Sequence, residues 1–161
     1  IIPMLREQLP QRLEEMVIST LRLDIATPEH EVMKASFDAV RAHDARKDAE
    51  KVEKFLDKSL GSGFAVAGAR DTLIALTLGQ VDEMLLSASE QDLRDDLIGK
   101  DAELIPDLSG ADVENGRARR AVIADELVAR ARQTNADVTF IEDAARLAAH
   151  GGVGAKLRFR L

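Results

Sequence analysis

Apolar and polar positions change period several times along the chain, and each change marks an element. Residues 17–25 repeat every second position, with Val17, Ser19, Leu21, Leu23 and Ile25 facing one way and Ile18, Thr20, Arg22 and Asp24 the other. That pattern predicts a strand with one wet face. Ahead of it Leu5, Leu9, Leu13 and Met16 keep helical spacing around Pro10, which predicts a short helix started by the proline. After it Thr27-Pro28-Glu29 predicts a helix start: the threonine caps, the proline takes the first helical position, and Glu29 and Glu31 favour the positive end of the dipole. Val32, Ala35 and Ala39, with Met33, Phe37 and Val40, give this helix a broad apolar face. His43-Asp44 reads as a break. A second amphipathic helix over 45–60 follows through Ala49, Val52, Phe55, Leu56 and Leu60 and ends at Gly61-Ser62-Gly63, so an antiparallel helical hairpin is expected.

The centre of the chain, residues 64–87, reads as one strand–helix–strand unit. Phe64-Ala65-Val66-Ala67 is a short apolar run between glycines, as a buried strand would be, and Gly68 frees the backbone to turn out of it. Asp71 and Thr72 are placed to serve the first-turn N–H groups of a helix that carries Leu73, Leu76 and Thr77 and stops at a left-handed Gly79. Residues 81–87, with Val81 and the run Met84-Leu85-Leu86, predict an interior parallel strand covered on both faces. Further on, Ile123, Leu127 and Ala131 predict a helix over 117–134 stopped by Asn135, followed by a short strand over 138–141. Asp143 then caps a small helix through Leu147 and Ala148 that Gly151-Gly152 ends. Residues 153–161 alternate again, with Ala155, Leu157, Phe159 and Leu161 as the buried face and Lys156, Arg158 and Arg160 as a basic one. This succession predicts an α/β fold, a three-layer α/β/α sandwich on a mixed sheet.

Charge changes the picture in one place. Residues 88–116 hold nine acids against two bases, which equals the net charge of −7 of the whole chain. Ser89 and Asp92 resemble a capping box for a short helix with Leu93 and Leu97, and the remainder, with Pro106, Ser109, Gly110 and Gly116, is expected to be a solvated, mobile insertion whose residues 98–110 could be deleted. The acidic balance argues against a protein that mainly grips phosphate backbones, DNA included. With no cysteine among 161 residues, disulfides and thiolate metal sites are excluded. No apolar run approaches a membrane span, so no membrane partner is expected and a cytoplasmic location is the default. The chain opens Ile1-Ile2-Pro3, without methionine, and is read as a piece of something longer.

Catalytic constellations are sparse. His30, His43 and His150 stand outside any metal or nucleophile motif and read as helix-surface or helix-end residues. Asp95-Asp96 and Glu14-Glu15 are adjacent pairs that on a helix diverge by about 100° and read as solvated faces. Gly61-Ser62-Gly63 and Gly151-Gly152-Val153-Gly154 lack the lysine and the setting of a phosphate loop. No catalytic, cofactor or metal residue emerges, and no enzyme is expected in these residues.

The run Ala67-Gly68, Asp71-Thr72-Leu73, Ala75-Leu76, Gly79-Gln80-Val81-Asp82, Leu85-Leu86, then Leu127-Val128 and the closing Gly151-Gly152-Val153-Gly154-Ala155 with Leu157-Arg158-Phe159 resembles the C-terminal domain of archaeal and eukaryotic-type class-1 peptide chain release factors, shared with Pelota-type ribosome-rescue proteins. The resemblance implies residues 1–16 as a lead-in or linker from an upstream domain and 17–161 as the α/β domain, with an acidic insertion at 88–116. It also implies a non-catalytic interaction domain that docks to a translational GTPase and to the ribosome. The family's peptide-releasing Gly-Gly-Gln occurs nowhere in these residues. Without the cysteines that archaeal members often carry near the insertion, the chain looks more like a bacterial relative. The fold further resembles that of kink-turn-binding ribosomal proteins, which keeps ribosomal RNA open as a partner. On that alternative reading a structured RNA would meet the Gly68, Arg70, Asp71 turn and the basic residues Lys156, Arg158 and Arg160.

Overall fold

The computed structural model describes residue 4 and residues 8–97, 103–109, 116–142 and 145–159. The chain divides into two compact units, Ile1–Lys47 and Asp48–Leu161.

In the first unit, helix α1 (Gln11–Glu14) begins directly after Pro10, whose carbonyl accepts the N–H groups of Leu13 and Glu14 at 2.8 and 3.1 Å. The strand predicted over 17–25 does not form: the segment belongs to no sheet. Alternation supplies only one of the two things a strand needs, since the ladder partner and the covered face must come from elsewhere. Here Val17, Ile18, Leu21, Leu23 and Ile25 all remain exposed. Helix α2 (Glu29–Lys54) is opened by Pro28, whose carbonyl accepts the Glu31 and Val32 N–H groups at 3.0 and 3.1 Å. It runs straight through His43-Asp44, so the predicted hairpin is replaced by one long helix. Neither residue is a glycine or proline, and their weak helix propensities cost only about 0.7 kcal/mol each, too little to break a helix of 26 residues.

The second unit is built on four strands: β1 (Ala65–Ala67), β2 (Val81–Ser87), β3 (Asp137–Ile141) and β4 (Val153–Leu157), in the order β1-β4-β2-β3. β4 is antiparallel to β1 and to β2, while β2 is parallel to β3, so the sheet is mixed as expected. Helices α3 (Ala69–Thr77) and α4 (Gly116–Gln133) cover one face through Leu73, Leu76, Ile123 and Leu127, which pack with Met84 and Leu86 of β2. Opposite them Leu85 joins Val52 of α2, Phe55 from the π-helical turn that follows, Ile141, and Leu147 of helix α5 (Ala145–Ala148). Covered on both faces over Met84-Leu85-Leu86, β2 is continuously apolar there, while Asp82 and Glu83 near its start are not buried. Gly154 belongs to this packing as well, because the Phe55 ring occupies the place a Cβ would take.

The acidic segment is the main departure from expectation. Its described part is not a solvated loop: Leu93, Leu97, Ile105 and Leu108 are buried in the α3/α4 cluster, with Ile105 only 1% exposed. Three of its acids have structural partners, which the charge excess conceals. Asp92 accepts the Ser87 hydroxyl at 2.7 Å, Asp95 pairs with Arg119, and Asp96 accepts the Arg70 N–H at 3.0 Å. Around Leu93 the capping box is not made either; the chain forms a single 3-10 turn, Glu90–Asp92. Arg130 fastens the segment to both helices, binding Glu126 on its own helix at 2.6 Å, the Thr77 hydroxyl at the end of α3, and the Leu104 carbonyl.

The closing strand is shorter than its alternation predicts. β4 stops at Leu157, which is buried, whereas Phe159 is 53% exposed and does not join the core. The physical reason is the end of the ladder. Val81, the first residue of β2, pairs with Leu157, and the next N–H, that of Arg158, goes to the Gln80 carbonyl at 2.8 Å as the chain bends away. Leu161, the Asp143 cap and Arg160 lie outside the described residues.

Candidate interaction site

Gly68 ends β1 with φ +91°, donates to the Val153 carbonyl at 2.9 Å and hands its own carbonyl to the Thr72 N–H. A side chain here would be strained in backbone and blocked in space, since a Cβ would stand 2.7 Å from an Asp96 carboxylate oxygen. That carboxylate is the cap of α3. Asp71 and Thr72, predicted for the role, do not fill it: Asp71 pairs with the Arg70 guanidinium at 3.1 Å, and the Thr72 hydroxyl is buried without a partner. The positive end of α3 is therefore already occupied by an acid of the same chain, placed there by the acidic segment. Beside it the Asp95 carboxylate grips Arg119 through both oxygens and, by that hydrogen bond, holds the guanidinium still more firmly in its charged form against the opposing effect of burial. The sequence signal for these two acids is their place between Leu93 and Leu97, apolar positions that a wholly solvated stretch has no use for.

The basic residues sit at the other end of the sheet. Gly68 adjoins Val153 at the start of β4, and Arg158 follows its last residue, about 17 Å away at the usual strand rise. The structure thus does not bring Gly68, Arg70 and Asp71 together with Lys156 and Arg158. Lys156 faces Asp82 across the bulge at the start of β2, Nζ to carboxylate 3.4 Å. Arg158 reaches back to the end of α4, where its guanidinium donates to the carbonyls of Thr134 and Asn135 at 3.1 and 3.0 Å. These carbonyls lie just past the helix, at the negative end of its dipole, where Asn135 turns the chain with φ +53°. Both cations have internal partners.

Exposed apolar side chains mark the same end. Leu157 donates its N–H to the Phe64 carbonyl and Arg158 to that of Gln80, so Phe64, the turn after α3 that carries Leu78, and Phe159 all border the close of β4. Phe64 is 41% exposed and Leu78 61%, and a shallow depression lined by Val66, Asp71, Ile74, Ala75, Leu78 and Gln80 extends along α3. Of the exposed large apolar residues described in this unit, only Phe140, on β3 beside Val128 and Arg132 of α4, lies elsewhere. Sequence patterning misses this face: it puts Phe64 in a buried strand and Phe159 in the core, whereas β1 begins only at Ala65 and both aromatics are exposed, and Leu78 stands at a helix end, where periodicity is silent. Among the described residues no group of three His, Asp or Glu could hold a metal, and no helix is long and apolar enough to cross a membrane.

The family model for eRF1 domain 3 matches residues 45–161. No curated protein sequence matches. Among solved structures, the C-terminal domain of a peptide chain release factor from Methanosarcina mazei is 19% identical with a TM-score of 0.54, over 84% of this chain and 98% of that one. Archaeal Pelota, in a model of its ribosome-bound state with ABCE1, is 19% identical at a TM-score of 0.51, over 88% of this chain and 36% of Pelota. Dom34 of S. cerevisiae, described as a translation termination-like factor interacting with Hbs1, is 15% identical at a TM-score of 0.50, over 82% of this chain and 33% of Dom34. The chain thus spans about a third of these longer proteins. The matches are archaeal and yeast proteins and give no support to a bacterial source. With its α/β fold shared and more than two thirds of its length matched, the chain belongs to the eRF1 domain 3 family, the C-terminal domain of release and ribosome-rescue factors.

Proposed function

We propose that this chain is the non-catalytic docking domain of a peptide chain release or ribosome-rescue factor, and that it engages a translational GTPase and the ribosome in the cytoplasm. The observation that carries the docking site is the apolar end of the sheet. The exposed Phe64, Leu78 and Phe159 border the close of β4, Phe159 itself within the closing run that resembles the family, and a protein surface places several large apolar side chains near one another chiefly where a partner covers them. Arg158, though exposed, is tied to the Thr134 and Asn135 carbonyls, so the aromatic residues are the binding part and the arginine the support. The alternative, a structured-RNA site, has less in its favour. Its two halves lie at opposite ends of the sheet, the helix terminus that would receive a phosphate already holds Asp96, and Lys156 and Arg158 have partners within the domain.

The test is the affinity of the chain for its cognate translational GTPase. Phe159→Ala is expected to weaken binding about 10–100-fold, as loss of an interface anchor does, while shifting the melting temperature by under about 2 °C. Unchanged affinity with an intact fold would remove this face from the interface. In the same binding series an RNA affinity that falls steeply with salt would favour the alternative.

A further inference from the structure

Helix α4 carries its arginines at the end where acids are the stabilising choice. It opens Gly116-Arg117-Ala118-Arg119-Arg120, with no acid in the first turn, at the positive end of the helix dipole. Asp95 matches Arg119. Arg117 and Arg120, three positions apart and so on one face of the helix, line a hollow of about 220 Å3 that Ala88, Ser89, Glu90 and Gln91, the turn after β2, complete. Arg120 folds back over the helix start, with Nη1 3.9 Å from where a Cβ on Gly116 would stand, and is only partly exposed. Its Nε is shut off from water, and among the described residues it has no hydrogen-bond partner. A charged side chain that gives up hydration without gaining a partner is costly. On the other wall of the hollow the Ser89 hydroxyl makes no cap to its own turn, although serine suits that role.

We propose that this hollow binds a phosphate group, free or carried as a monoester, held by the guanidinium groups of Arg120 and Arg117 with the Ser89 hydroxyl and the Gln91 amide as further donors. Two guanidinium forks offer more N–H groups than one carboxylate can accept, whereas a phosphate monoester brings three strong acceptor oxygens and roughly two negative charges at neutral pH. The diester link of a nucleic-acid backbone is the poorer fit, with fewer free oxygens and a single charge. Glu90 on the rim opposes an anion but does not block the site, because it is exposed and screened by solvent. The hollow stands at the end of β2, which pairs with the start of β4, so it lies at the opposite end of the sheet from Phe159. The inference therefore does not rest on the docking face, and both places can be occupied at once.

Titration of the 161-residue chain with inorganic phosphate at constant ionic strength, followed by amide NMR, tests it. The amides of residues 89–91 and 117–120 are expected to shift together and saturably, with a Kd of about 1–10 mM. Arg120→Gln should weaken binding at least about tenfold, as loss of a charge-assisted donor does. Glu90→Gln, at an exposed position that the fold tolerates, should tighten it about threefold by removing the like charge, and it decides the matter if Arg120→Gln fails to fold. Dimethyl phosphate, a diester, should bind at least about fivefold more weakly than glycerol 2-phosphate, a monoester. Tighter binding of glycerol 2-phosphate than of inorganic phosphate assigns the hollow to an esterified group, and the reverse to the free ion. The proposal is overturned if no saturable shift appears by about 50 mM phosphate, if folded Arg120→Gln binds as well as the parent chain, if Glu90→Gln binds no tighter, or if the diester binds as well as the monoester.

Discussion

Two stretches of this chain exchange the places their sequences suggest. Residues 17–25 alternate as a half-buried strand should, yet every large apolar side chain in them is exposed. Residues 103–109 sit in an acid-rich stretch with proline and serine, yet Ile105 and Leu108 are buried in the core. The difference is not in the local pattern but in what stands opposite. Ile105 and Leu108 meet Leu73, Leu76, Ile123 and Leu127 on two helices that would otherwise leave a seam open to water, and Arg130 holds Leu104 in place through its carbonyl. The alternating stretch meets no sheet edge. Periodicity states which side chains can be buried together; burial itself requires the second surface.

Mutations should separate the two regions clearly. Ile105→Ala removes a side chain from the closed seam and is expected to cost about 2–5 kcal/mol, the range for large-to-small core changes. A urea melt showing a loss under about 0.5 kcal/mol, the size of a surface substitution, would return the acidic segment to solvent. Arg158→Ala is expected to come next, at about 0.5–1.5 kcal/mol, because the carbonyls of Thr134 and Asn135 lose their charged donor but regain water at an exposed site. Thermal melts of this variant together with Phe159→Ala would show which residue of the pair is structural: Arg158→Ala should destabilise more. Leu23→Ser should do least, under about 0.5 kcal/mol in the 161-residue chain. A larger loss would mean that the alternating stretch already has a covered face in this chain.

Much of the family domain was legible. The strand predicted over 81–87 is the interior strand β2, the stripe Ile123, Leu127, Ala131 is the buried face of α4, and Gly79, Asn135 and Gly151-Gly152 stop their elements with positive φ. The candidate site was legible only in part. Gly68 does make the turn and its close contacts, but Asp96 looks solvent-facing in the sequence because its role depends on a helix 26 residues earlier. Arg158 looks like a plain outward charge in the sequence because the carbonyls it reaches are 23 and 24 residues away.

The sequence by itself determined the elements of the family domain, their order and the class of the fold, because helix stops, glycine turns and the periods 2 and 3.6 act within a few residues. Tertiary structure alone decided that β4 ends at Leu157 and leaves Phe159 outside, and that an acidic segment supplies both core side chains and the cap of α3. Each of those outcomes depends on a partner distant in sequence: the ladder that runs out at Val81, the seam between two helices, the free N–H groups at the start of α3. A local pattern carries no information about such partners, and the free energy that fixes the outcome resides in them.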